Sequence, residues 1–168
     1  MRTRIWRGRS LALAAALFWI GSAGQAATTT TTFSVSATIS AACGVNATNL
    51  GFGVYDPAAG AALDGSSTLS VACTSGTNYT LALSVGSGGG SFAVRTLLNG
   101  SETLGFNLFT TAARTTVWGD ASGSTATVSG SGSGVLTPNS HTVYGRIPIG
   151  QDKPPGAYSS TITVTLNF

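Results

Sequence analysis

Alternation of apolar and polar residues dominates this chain. From Phe33 the apolar positions are Phe33, Val35, Ala37 and Ile39, with Ser34, Ser36, Thr38 and Ser40 between them. A period of two over that length predicts a strand with one dry and one wet face. Leu50, Phe52 and Val54 repeat the pattern up to Asp56-Pro57. Leu69 and Val71 lead into Cys73, and Tyr79, Leu81, Leu83 and Val85 form a fourth run that breaks at Gly86–Gly90. Leu104, Phe106 and Leu108 alternate next. Val117-Trp118, Thr125–Val128 and Val143–Ile149 are further strand candidates, and Pro148, which has no N–H to donate, places the last of these at an edge or a bulge. The chain closes with Tyr158, Ile162, Val164, Leu166 and Phe168 on one face and Thr161, Thr163, Thr165 and Asn167 on the other. No segment after residue 26 shows a helical period, so the expectation is all-β: several short strands with turn signals between them, a β-sandwich.

The first residues obey a different rule. Arg2, Arg4, Arg7 and Arg9 precede an apolar run from Leu11 to Ile20, and Gly24 and Ala26 supply the small residues of a cleavage site. That layout predicts a secretory signal peptide over 1–26, its apolar run being about half of the ~20 residues a spanning helix needs. No membrane insertion is expected after cleavage. The signal also removes most of the positive charge. The whole chain carries a formal +3, but the part from residue 27 has four cations (Arg95, Arg114, Arg146, Lys153) against five carboxylates (Asp56, Asp64, Glu102, Asp120, Asp152), a net −1. The basicity therefore serves export and gives no reason to expect a nucleic-acid partner.

Export also decides how the two cysteines are read. Cys43 and Cys73 form an even pair in an oxidising compartment, which predicts one disulfide, stabilising the fold by roughly 3–4 kcal/mol in the chain-entropy model. A metal site is not expected, because His141 is the only histidine. Nor is an enzyme or a cofactor. His141 sits in a Pro-Asn-Ser-His-Thr context that reads as a turn, no nucleophile elbow occurs, and the Gly-rich stretches lack the lysine and helix of a phosphate loop. Asp56 or Asp64 with Glu102 could serve as a glycosidase carboxylate pair, but nothing in the sequence places them together. Asn46-Ala-Thr, Asn78-Tyr-Thr and Asn99-Gly-Ser match glycosylation sequons that arise often by chance. Arg114 and Trp118 are of the types that concentrate at binding hot spots; a packed tryptophan beside a surface arginine is the plainer reading.

Taken in order, several segments carry a family resemblance. They are Ala41-Ala42-Cys43, Leu69–Cys73, Phe106–Thr110 running into Ala113–Asp120, Val143–Pro148, Gly156-Ala157-Tyr158 and Thr161–Phe168. Together the chain resembles the spore coat protein U domain family, the pilin domain of archaic chaperone–usher fibres, with Ser159-Ser160 departing from the acidic residue often found there. The resemblance implies an incomplete immunoglobulin-like sandwich over 41–168, completed by donor-strand exchange. It implies a periplasmic pilus chaperone, an outer-membrane usher and other pilin subunits as partners. Export through the periplasm to a surface pilus, acting in adhesion and biofilm formation, is the implied setting. Residues 27–40 would be the donor arm, with Phe33, Val35, Ala37 and Ile39 entering a neighbour's groove. Ile162, Val164, Leu166 and Phe168 would form the chaperone-docking C-terminal strand. The same arm segment also reads as the domain's own first strand, so pairing in cis or in trans is open at this stage. A single-domain adhesin and a secreted spore-coat or matrix protein are the other functional readings.

Overall fold

The computed structural model describes residues 24–168, so the predicted signal peptide lies almost entirely outside the described residues. The chain divides into an N-terminal unit ending at Ala37 and a body of Thr38–Phe168. The described part of the first unit has no regular structure, and Phe33 and Val35 are 87% and 84% exposed. In the body, β1 (Cys43–Ala47), β2 (Leu63–Cys73), β3 (Asn78–Leu83), β4 (Arg95–Asn99), β5 (Glu102–Phe109), β6 (Val128–Ser131), β7 (Asn139–Ile147) and β8 (Val164–Asn167) follow one another, with no helix among the described residues. They form a five-stranded sheet in the order β1-β2-β7-β5-β4 and a three-stranded sheet in the order β6-β3-β8. All pairings between these strands are antiparallel.

The alternating positions become the core. Leu69, Val71 and Cys73 from β2, Leu104, Phe106 and Leu108 from β5, and Val143 and Ile147 from β7 meet Tyr79, Leu81 and Leu83 from β3, with Trp118 wholly buried among them. Cys43 and Cys73 are direct cross-strand partners, 4.1 Å apart at Cα, and are joined by the expected disulfide. It staples the edge strand β1 to β2.

Four expectations are corrected. Residues 33–39 form no strand: an amphipathic pattern gives β propensity but no partner for the backbone groups. Leu50–Val54 is not a strand either. Leu50 and Phe52 pack on the core without joining a ladder, Phe52 meeting Phe106 edge-on at 6.1 Å, while Val54 is 92% exposed. His141 lies within β7, opposite Leu69, and not in a turn. Pro148 stands just beyond a central strand rather than at a sheet edge, because β7 stops at Ile147. Past that point the Gln151 side chain takes over the ladder's work, accepting from Gly105 N–H at 2.6 Å and donating to Gly105 C=O at 2.8 Å.

Candidate functional site: an open strand edge and its groove

Among the described residues, the backbone of the C-terminal segment is held on one side only. Ser84 N–H donates to the Thr163 carbonyl at 3.0 Å, and Thr163 N–H donates to Ser84 Oγ at 2.9 Å. Thr161 is tied in the same way to Ser87. Thr161 and Thr163 therefore face β3, and in an antiparallel ladder so do Thr165 and Asn167. The backbone N–H and C=O groups of Ile162, Val164 and Leu166 point the opposite way, toward an edge that no strand covers among the described residues. Their side chains meanwhile turn into the core.

Along that edge runs a groove of ≈ 960 Å³. One wall is the segment from Tyr158 through Ile162 to Val164. The other is the continuation of β1 from Ala47 to Tyr55. The floor is the inner face of the larger sheet, with Leu69, Leu104, Phe106, Leu108, Val143 and Ile147. Ala47 lines one end of the groove, the end at which β1 and β8 come together. The other end is lined by Val54, Pro57 and Lys153–Pro155. An apolar floor flanked by unpaired backbone edges has the chemistry of a seat for one extended strand.

The predicted C-terminal residues are placed unequally. Ile162 and Val164 line the groove, Leu166 packs on the core beyond it, and Phe168 is 61% exposed. Of the arm residues, Ile39 is 88% exposed and Ala37 is exposed as well.

Behind the groove's C-terminal wall lies a buried cation that the sequence reading passed over. Arg95 is fully buried; its Nε donates to the Ser84 carbonyl at 3.0 Å, Nη2 to the Trp118 carbonyl at 2.6 Å and Nη1 to Asn107 Oδ1. Its guanidinium also lies 5.1 Å from the centre of the Phe92 ring. Burial pulls its pKa down to about 10, against the opposing pull of the Asp120 carboxylate. Asn107 in turn donates to the carbonyls of Phe92 and Ala93. The Phe106–Thr110 and Trp118–Asp120 motifs thus converge on one polar knot, which fixes Ser84, the residue that holds Thr163.

The remaining candidates are engaged structurally. Trp118 donates its indole N–H to the Leu81 carbonyl at 3.0 Å. Arg114, at φ 55°, donates through Nε to the Gly145 carbonyl and lies 3.2 Å from Asp64. Asp64 faces Arg146 in register and accepts from it twice, at 2.7 and 2.9 Å, and this hydrogen bonding holds the Asp64 carboxyl below its ordinary range. Asp56 caps the Ala58 N–H, and Glu102 opens β5 in an exposed position. His141 Nε2 lies 2.8 Å from the Tyr79 hydroxyl, an inter-sheet link in which burial lowers the imidazole pKa. No cluster of three or more His, Cys, Asp or Glu side chains occurs among the described residues.

The comparisons with known proteins agree with this architecture. One chain of the crystal structure of the CsuC–CsuE chaperone–tip adhesion subunit pre-assembly complex, from the archaic chaperone–usher Csu pili of Acinetobacter baumannii, superposes with a TM-score of 0.55 at 19% identity. The match covers 78% of this chain and 41% of that one, so this chain spans less than half of the protein it resembles in fold. Protein U of Myxococcus xanthus is 34% identical over 163 residues, covering 88% of this chain and 89% of the relative. The model of the Spore Coat Protein U domain matches residues 29–165. With nearly all of residues 27–168 inside that match, the chain belongs to the spore coat protein U domain family.

Proposed function

We propose that the chain is a structural subunit of a chaperone–usher pilus, exported through the periplasm to the cell surface and joined to its neighbours by strand addition beside β8. The observation that carries this reading is the apolar groove along an uncovered strand edge. A strand seated there extends the smaller sheet, with main-chain bonds to the groups of Ile162 and Val164 and alternate side chains reaching the floor. A periplasmic chaperone supplies the strand first; the similarity to a chaperone–subunit complex supports that order. At the outer-membrane usher, Phe33, Val35, Ala37 and Ile39 of the next subunit replace it. Burying those side chains contributes on the order of 5–9 kcal/mol before ordering costs. Adhesion and biofilm formation are the work of the resulting fibre.

The test compares the mature protein with a form lacking residues 27–40. The truncated form is expected to fold, to make no homopolymer, and to gain thermal stability when a synthetic 27–40 peptide is added. Fibres built by the truncated form alone would refute the reading.

The likeness to Protein U and the family's name favour one other reading, a secreted coat or matrix protein. Genes for a chaperone and an usher beside this one support the pilus; their absence supports the coat.

A further inference from the structure

The exposed apolar side chains of the body are not scattered. Beyond the arm, those among the described residues are Val54, Val94, Val135, Leu136, Ile149 and Phe168. The strand registers place three at one end, and hydrogen bonds and packing draw the other three toward the opposite end. Val135 and Leu136 sit at the tip of the turn between β6 and β7, which is pinned where Gly134 N–H donates to the Cys73 carbonyl and Thr137 N–H to the Gly134 carbonyl. Phe168 follows Asn167, the partner of Thr80, and so lies at this same end, where β1 also begins. The three others gather at the far end. The Tyr55 hydroxyl, next to Val54, donates to the Pro148 carbonyl and accepts from Gln151 N–H, so Val54 and Ile149 flank the same hydrogen-bonded junction. Val94 joins them over Gly105, the residue Gln151 clasps.

Between the two ends the large sheet's outward positions along β2 are Asp64, Ser66, Thr68 and Ser70, a polar flank. An apolar cap at each pole of a body with polar sides is the pattern of a head-to-tail contact. A two-fold dimer would cover one pole and leave the other bare, whereas a heterologous contact covers both and propagates.

We propose that the partner at each pole is a second copy of this chain: the Val135–Leu136 turn and Phe168 of one subunit pack on Val54, Val94 and Ile149 of the next. This rests on the strand-addition reading and adds a contact outside it. Ala47 lines one end of the groove, where β1 and β8 come together, and Val54 and Pro57 border the other, so a strand leading back to a donor's β1 has its way out past Val54. Its subunit then presents the pole at which its own β1 begins, the pole that carries Leu136. Joint and pole contact are continuous, and the contact restrains bending between subunits.

The test uses the full chain with Leu136→Cys and Ile149→Cys combined, and a second pairing of Leu136→Cys with Val54→Cys, in assembled fibres under mild oxidation. The expected result is a covalent ladder of multimers on a non-reducing gel from at least one pairing. Mass spectrometry should then find the inter-subunit cross-link, and each single variant should give no ladder beyond a dimer. Fibres that form normally yet give no ladder from either pairing overturn the pole contact and leave the strand joint standing. Failure of the unmodified chain to form fibres at all sinks both.

Discussion

Gly65 of β2 and Gly145 of β7 face each other directly, and the bare patch they make on the inner face of the sheet is where Leu50 and Phe52 sit. A Cβ at 145 would lie 2.8 Å from Phe52 Cζ and 3.0 Å from Leu50 Cδ1; one at 65 would lie 3.1 Å from Leu50 Cδ2. These paired glycines set the height of the groove's Ala47–Tyr55 wall. Gly145→Val is expected to lift Phe52 off Phe106 and cost about 1–3 kcal/mol through overpacking. Gly65→Ala should cost less. Urea unfolding midpoints read both, and weaker binding of the 27–40 peptide to Gly145→Val would show the wall displaced.

Arg95 is the second point of leverage. Its removal strands the carbonyls of Ser84 and Trp118 in the core, while Asn107 keeps its bonds to Phe92, Ala93 and Leu108. Arg95→Ala should destabilise the body by about 2–6 kcal/mol, two buried carbonyls left without a donor at about 1–3 kcal/mol each. Amide exchange at Ser84 and Thr163 should accelerate beyond the rest of the sheet if the knot positions the C-terminal wall.

The Tyr79–His141 link predicts an acid-side loss of stability. Burial lowers the folded-state pKa of His141 below its unfolded value near 6.5, so its contribution is complete above that pH and is lost as pH falls toward the lower folded value. Asp64 follows the same sign at lower pH: its contribution is present above about 3.8 and is lost as pH falls through its depressed folded value. Thermal melts from pH 7.5 to 3 should show two separate declines. His141→Gln should remove the upper one alone, and Asp64→Asn the lower.

The disulfide predicts a redox effect on the groove. Among the described residues β1 is an edge strand paired only with β2, and the bond from Cys43 to Cys73 ties down its first residue, while the wall continues from its last, Ala47. Cys43→Ala with Cys73→Ala should lower stability by roughly 3 kcal/mol. Peptide binding should fall along with it, while a mutant that melts lower but binds normally would show that the staple serves the fold alone.

How far the sequence carried these conclusions depends on where each residue's partner lies. Leu69–Cys73, Tyr79–Leu83 and Leu104–Leu108 were legible because their inward positions are large and apolar on a two-residue period, and burying them needs no knowledge of what lies opposite. The first half of β2 was not legible, because after Leu63 its inward positions are Gly65 and Ser67. They are small so that Leu50 and Phe52 can lie on them and Ser67 can donate to the Thr48 carbonyl, a fit between segments about 20 residues apart. The same fit explains why Leu50–Phe52 alternates without being a strand. Arg95 opens an edge strand with a charge, and only the three acceptors folded around it make that position buriable.

The chain by itself determined the all-β class, the cysteine pair and the amphipathic pattern of both terminal segments, since each is a local matter of side-chain chemistry and period. Tertiary structure alone decided which strand edges are covered, that among the described residues β8 is hydrogen-bonded to a strand on one side only, and where the exposed apolar residues of the body fall. Edge and pole are properties of pairing between distant segments, and no local pattern encodes the residue that will be missing from the other side.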